Sequence, residues 1–144
     1  MAIIVTVLTK RWAVGLLIGY VLIILGETVL FRTVFSGQHF QPKLLWSYGV
    51  WKVQREQIAA NILLFIPLGL LAGSLWKWKG ILAGLGLSVV VELLQLVSQR
   101  GLCEFDDILH NTLGTFIGVS IYMLIEIMVK RKRSEDGRQK RSEI

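Results

Sequence analysis

Four apolar stretches alternate with polar segments along the chain, and each approaches the length needed to cross a membrane. A helix rises 1.5 Å per residue and the hydrocarbon core is about 30 Å thick, so one crossing takes roughly 20 residues. The pattern therefore predicts an all-α bundle of four transmembrane helices within one membrane domain, residues 1–129. The apolar stretches are Trp12–Phe31, Ile58–Trp76, Ile81–Val97 and Ile108–Val129, which give predicted helices at about 12–31, 58–76, 80–97 and 107–129.

Two smaller elements are predicted outside these stretches. In the loop at 32–57, Leu44, Leu45, Tyr48 and Trp51 share one face of a short helix that we expect to lie on the extracellular surface of the membrane. In the simpler interpretation this helix is an interfacial anchor, and in the alternative it is a lid over a site. We expect residues 130–144 to form a basic cytoplasmic tail without fixed structure.

Composition and charge support a membrane protein and indicate its orientation. The 144 residues are 53% hydrophobic with a mean hydropathy of +0.59, which leaves no room for a sizeable soluble domain. If the N-terminus is inside, the cytoplasmic side holds the larger share of the 16 Lys and Arg residues, so we predict that both termini are cytoplasmic. The net charge of +6 is concentrated in the tail and favours contact with anionic lipid heads, not with nucleic acid.

Polar side chains interrupt three of the stretches at what should be one depth near the outer surface. Such groups are costly in hydrocarbon, which makes them candidates for a functional site. Glu92 and Gln95 share one helix face, and Asp107 shares another with Asn111. Together with the connection between the third and fourth helices, they predict one outward-facing polar pocket that binds a ligand. Its predicted lining is Asn61, Glu92, Gln95, Arg100, Glu104, Asp106, Asp107 and Asn111.

Three kinds of chemistry are open to this pocket. Arg100 among carboxylates could clamp a phosphate or carboxylate group. Glu92, Asp106 and Asp107 could hold a divalent cation, which would be the one cofactor. Glu92 or Asp107 could also act as a general base, although no catalytic residue is assigned. In the simpler alternative, the polar side chains only cap helices and join them by hydrogen bonds.

Three segments of the chain resemble the VanZ-like family of bacterial membrane proteins. The segments are Asn61–Gly69, Glu92–Gln95 and Arg100–Gly114, and the third is the most specific. The matching signature positions are Asn61, Phe65, Pro67, Gly69, Glu92, Gln95, Arg100, Asp106, Asp107, Asn111 and Gly114, while Glu104 stands where many members have Asp. The resemblance implies a multi-pass protein of the bacterial plasma membrane. The family is named for a member linked to low-level resistance to teicoplanin, a lipidated glycopeptide antibiotic.

These observations together predict a protein of the cell envelope that contributes to glycopeptide resistance through its polar pocket. The partners would be membrane lipids, and the ligand a lipid head group, a lipid-linked cell-wall precursor or a lipoglycopeptide. A membrane enzyme that acts on a lipid phosphate with a divalent cation is one alternative, and a lipid transporter or flippase is another. Glycine pairs in every predicted helix also allow a scaffolding role or a homo-oligomer.

Overall fold

The computed structural model describes residues 2–34, 37 and 40–142, so the last two residues of the predicted tail, 143–144, lie outside the described residues. The chain is 86% helical, which confirms the predicted all-α class. In chain order the elements are α1 (Ala2–Leu25) with a π-helical turn (Gly26–Leu30), β1 (Phe40–Gln41), α2 (Trp46–Gly49), α3 (Trp51–Trp76), a 3-10 turn (Lys77–Lys79), α4 (Gly80–Ser98), β2 (Cys103–Glu104) and α5 (Phe105–Ser142).

Three helical stretches of the described chain are long and apolar enough to cross a membrane. They are Lys10–Leu30, Trp51–Ser98 and Phe105–Gln139. The second contains both α3 and α4, because only the 3-10 turn separates them and the chain reverses there, at Lys77 with φ 55°. α3 and α4 thus form a helical hairpin. The short polar segment between the second and third apolar stretches predicts such a hairpin.

Glycines bring α3 and α5 into direct backbone contact. The two helices run parallel, with Ile62 and Ile66 of α3 beside Gly114 and Gly118 of α5. A Cβ atom on Gly118 would lie 2.9 Å from the Cα atom of Gly69, closer than real Cβ atoms come. Backbones of membrane helices approach this closely where small residues face each other.

The apolar core lies where α1 crosses α3 and α4. Its buried members are Ile24, Val29, Phe65, Leu68 and Val91. One hydrogen bond, from the Tyr20 hydroxyl to the Leu64 carbonyl at 2.8 Å, joins the first and third helices. The last part of α1 is thereby held against the middle of α3, one turn from Asn61.

The helices extend beyond the apolar stretches at several ends. α3 begins at Trp51, earlier than the predicted 58, and α5 continues to Ser142 through the segment expected to lack structure. Hydropathy marks only the apolar part of a helix, whereas Lys, Arg, Glu and Gln favour helix as well. The added turns of α5 include an i,i+4 ion pair between Lys130 and Glu126 at 2.8 Å.

Candidate functional site

Three buried carboxylates from three elements lie together, and we call them the acidic cluster. Glu92 of α4, Glu104 of β2 and Asp107 of α5 are 2%, 3% and 4% exposed. The Glu92 Oε2 atom accepts a hydrogen bond from the backbone N–H of Glu104 at 2.9 Å. The structure thus brings together three of the carboxylates that the sequence analysis singled out.

The positive charge that faces the acidic cluster belongs to Arg32, which the sequence analysis did not include. Its guanidinium acts electrostatically on all three carboxylates. It also packs against Gly101, where φ is +108° and an added Cβ would lie 2.8 Å from Arg32 Nη1. Arg100 instead donates a hydrogen bond from Nη1 to the Leu30 carbonyl at 2.6 Å. Arg100 thus links the connection after α4 to the π-helical turn after α1, and it does not face the acidic cluster.

The segment from Phe40 to Val50, which we call the strap, is fastened to the beginning of α5 by Asp106. This carboxylate is fully buried and accepts hydrogen bonds from the Leu45 N–H, the Ser47 N–H at 3.0 Å and the Ser47 hydroxyl at 2.6 Å. Leu45 has a left-handed backbone, with φ 59°, immediately before α2. Asp106 is therefore hydrogen-bonded to the strap, and its charge also acts on Glu104 of the acidic cluster.

Further contacts show that the strap covers the acidic cluster. The Trp46 indole N–H donates to Glu104 Oε2 at 2.9 Å, and the Tyr48 hydroxyl lies 3.2 Å from His110 Nε2. Tyr48 also stacks on Trp51. β1 and β2 pair in parallel, which fixes the start of the strap to the connection that carries Glu104. The strap is therefore held by contacts with Glu104, Asp106 and His110.

Burial under the strap changes the acidity of the groups on the β2 connection. Desolvation, followed by the charge of Asp107, raises the pKa of Glu104 to about 7, although the Trp46 hydrogen bond opposes the shift. Desolvation likewise raises the pKa of the buried Cys103 thiol. Glu104 is therefore neutral in part of the molecules near physiological pH.

The predicted amides mainly join helices. Gln95 donates to the Thr28 carbonyl at 2.9 Å, and Asn111 donates to the Ser88 hydroxyl at 2.9 Å. Gln57, which the sequence analysis missed, donates to Asp107 at 3.2 Å. For Gln95 and Asn111 the structure thus supports the simpler alternative of interhelical hydrogen bonds.

Asn61 differs because it faces a cleft. A cavity of about 250 Å³ lies between the π-helical turn of α1 and the beginning of α3, and its lining is Glu27, Thr28, Arg32, Ala60, Asn61 and Leu64. Asn61 is 7% exposed and faces the Asp107 carboxylate, yet its Nδ2 atom lacks a hydrogen bond of good geometry. The cleft therefore adjoins the acidic cluster through Asn61 and Arg32.

Glu27 and Arg32 are the charged residues of the cleft, and sequence reasoning left both out of the pocket. Both flank the end of the first apolar stretch, at the depth of the other polar residues. That shared depth was the signal available. The family motifs, all of which begin at Asn61 or later, do not include these two residues.

The predicted metal ligands do not converge. Within the part of the chain that the structure describes, no group of three or more His, Cys, Asp or Glu residues is arranged to hold a metal ion. Glu92 and Asp107 belong to the acidic cluster, whereas Asp106 serves the strap. The described geometry gives the divalent-cation prediction no support.

Comparison with known proteins identifies the family of this chain. The model of the VanZ/LLP1 family matches residues 12–126, a range that contains the acidic cluster, the strap and the cleft. The chain belongs to the VanZ/LLP1 family. It is also similar to Protein VanZ of Enterococcus faecium, with 34% identity over 83 residues, which are 55% of this chain and 51% of that protein. The chain thus spans about half the length of this relative. No solved structure matches this chain.

Family membership confirms the resemblance found in the sequence. The match begins at Trp12, the first residue of the first apolar stretch, so it includes α1 from Trp12 onward and the residues of the cleft that the three motifs left out. The roles of individual residues come from the geometry above. In the VanZ/LLP1 domain described here, Arg32 and Asn61 stand between the cleft and the acidic cluster.

Proposed function

We propose that this member of the VanZ/LLP1 family crosses the bacterial plasma membrane four times and binds the head group of an amphiphile in its cleft. The ligand would be a membrane lipid, a lipid-linked cell-wall precursor or a lipoglycopeptide. Binding would lower susceptibility to teicoplanin-type antibiotics. Both termini would be cytoplasmic, which would place the cleft in the outer leaflet.

The arrangement of helices supports the four crossings. α3 has 26 residues and α4 has 19, so each reaches about 28 Å or more at 1.5 Å per residue, close to the hydrocarbon thickness. The two helices run in opposite directions from the turn at Lys77–Lys79. The basic residues at that turn and along the end of α5 favour the cytoplasmic side.

The observation that carries the proposed function is the polar cleft itself. A guanidinium, a carboxylate and an amide line a cavity between helices whose outer surfaces are apolar. Polar groups near hydrocarbon are costly unless a partner satisfies them. A head group at the membrane surface could supply that partner while its acyl chains lie along the helices.

The acidic cluster supports this function by positioning Arg32. The three carboxylates attract the Arg32 side chain, which also lines the cleft. A role of Glu92 or Asp107 as a general base is less well supported. Both are almost fully buried, and the strap contacts close the approach from β2.

Teicoplanin susceptibility tests the proposal. The wild-type chain is expressed in a Gram-positive host, and the minimal inhibitory concentration is measured beside that for a glycopeptide without a lipid tail. We expect protection against teicoplanin, and we expect Asn61→Leu to lose most of it because the cleft then lacks its buried donor. Glu56→Gln, a change at an exposed carboxylate outside the cleft, serves as the control.

Expression and membrane insertion of each variant are checked by immunoblotting. Full protection by a normally inserted Asn61→Leu protein would contradict a role of the cleft in resistance. Equal protection against both antibiotics would contradict recognition of an amphiphile.

A further inference from the structure

The cleft contains charges of both signs. Glu27 and Arg32 both line it, and neither forms an ion pair with a described residue. Glu27 is exposed on the π-helical turn, whereas Arg32 is partly buried and directed toward the acidic cluster. The two charges therefore face the same cavity without neutralising each other.

We propose that the cleft recognises a zwitterionic phospholipid head in which a primary ammonium is joined to a phosphate by a two-carbon link, as in an ethanolamine phospholipid. This inference rests on the proposed function, because it names the class of amphiphile that the same cleft binds. The phosphate pairs with Arg32, and the ammonium pairs with Glu27.

Each charged group matches its partner chemically. A guanidinium offers a planar set of N–H donors that suits two phosphate oxygens at once. A primary ammonium has three donors for the Glu27 carboxylate. The Asn61 amide lines the same cleft and supplies a further donor beside Arg32 for a phosphate oxygen.

The presence of Glu27 disfavours a purely anionic head. The phosphate of a purely anionic head could pair with Arg32, but such a head has no positive group for Glu27, and its charge and Glu27 would repel in a partly desolvated site. A zwitterion satisfies both side chains and adds no net charge. Selectivity should therefore depend on Glu27, while general attraction of phosphate depends on Arg32.

The size of the cavity agrees with this ligand. About 250 Å³ corresponds to roughly eight water molecules at about 30 Å³ each, which is close to the number of non-hydrogen atoms in phosphoethanolamine. Apolar surface for the acyl chains lies next to the cleft, since Ile23 of α1 and Leu63 of α3 are 53% and 65% exposed.

Lipid binding to the purified full chain tests the inference. Dissociation constants are measured by native mass spectrometry for phosphatidylethanolamine, phosphatidylglycerol and phosphatidylcholine with matched acyl chains. We expect wild type to prefer the ethanolamine lipid over the glycerol lipid by about fivefold, the scale of one partly exposed ion pair. Glu27→Gln should abolish that preference, and Glu56→Gln should retain it.

The outcomes separate this inference from the proposed function. Equal or tighter binding of phosphatidylglycerol by wild type would overturn the zwitterion, as would choline binding equal to ethanolamine binding. In either case, weaker binding of all three lipids by Asn61→Leu would leave the proposed function standing. If Asn61→Leu and Arg32→Gln both fold and bind every lipid like wild type, the head-group function itself fails.

Discussion

Arg32 and Arg100 follow α1 and α4 respectively, and their surroundings differ. Arg100 was the predicted partner of the carboxylates because it lies in the motif with Glu104 and Asp107. In the structure its guanidinium reaches the Leu30 carbonyl, and Arg32 faces the acidic cluster instead. The packing of the ends of α1 and α4 decides which arginine faces the acidic cluster. The spacing of residues within one segment of the sequence does not contain that information.

Asp106 shows a similar change of role at the residue scale. Its carboxylate oxygens accept three hydrogen bonds from Leu45 and Ser47. We expect Asp106→Asn to lower the free energy of unfolding by about 2 kcal/mol, because an amide provides one acceptor oxygen and leaves buried donors unpaired. Thermal unfolding in detergent measures the loss, and limited proteolysis should show faster cleavage within residues 40–50.

Glu56→Gln is the matched control for this prediction, since it makes the same kind of change at an exposed position. An Asp106→Asn protein with unchanged unfolding and unchanged proteolysis would mean that the strap is held by its other contacts, those of Trp46 and Tyr48.

At the scale of elements, the glycine pairs of the sequence separate into packed and open positions. Gly69, Gly114 and Gly118 meet backbone atoms across the α3–α5 interface, whereas no atom lies within 4 Å of a Cβ added at Gly15 or Gly19. The spacing alone could not distinguish the two kinds, because both read as four-residue pairs. The distinction arises only when the helices are packed.

Gly118→Ala tests the close contact of α3 and α5. We expect it to destabilise the protein by about 1–3 kcal/mol, since the new methyl group would overlap the Ile66 carbonyl and force the backbones apart. Gly86→Ala on α4 is the matched control, because its Cβ would meet open space. Unfolding midpoints in one detergent compare the two, and equal effects would contradict the proposed importance of this contact.

The apolar stretches predicted where the helices lie more accurately than they predicted where the helices end. α4, Gly80–Ser98, agrees closely with the predicted 80–97, whereas α3 begins seven residues early. In that added part of α3, Gln57 reaches Asp107, so the polar start of the helix is stabilised by a tertiary contact. Hydropathy reports burial in lipid and is insensitive to such contacts.

The whole molecule has its polar side chains unevenly distributed. The acidic cluster, the strap and the cleft lie at one end of the bundle, and the ion pairs of Glu126 with Lys77 and Lys130 lie at the other. α5 has 38 residues, or about 57 Å at 1.5 Å per residue, so it extends well past a hydrocarbon core of about 30 Å. Its final turns would stand in the cytoplasm in the proposed orientation.

Cysteine labelling tests this orientation. In a Cys103→Ser background, Lys43→Cys on the strap should react with an impermeant maleimide in intact cells. Gly137→Cys near the end of α5 should react only after permeabilisation. The wild-type protein with its buried Cys103 is the control for background labelling. The reverse pattern would place the cleft in the inner leaflet.

The position of the cleft has a consequence for how a ligand arrives. Residues of α1, its following turn and α3 form the cleft, whereas the strap rests on β2 and the beginning of α5. An amphiphile already dissolved in the leaflet could therefore enter by lateral diffusion, with the strap in place. Occupancy would then follow the mole fraction of that amphiphile in the bilayer, and its concentration in the surrounding water would matter only through partitioning.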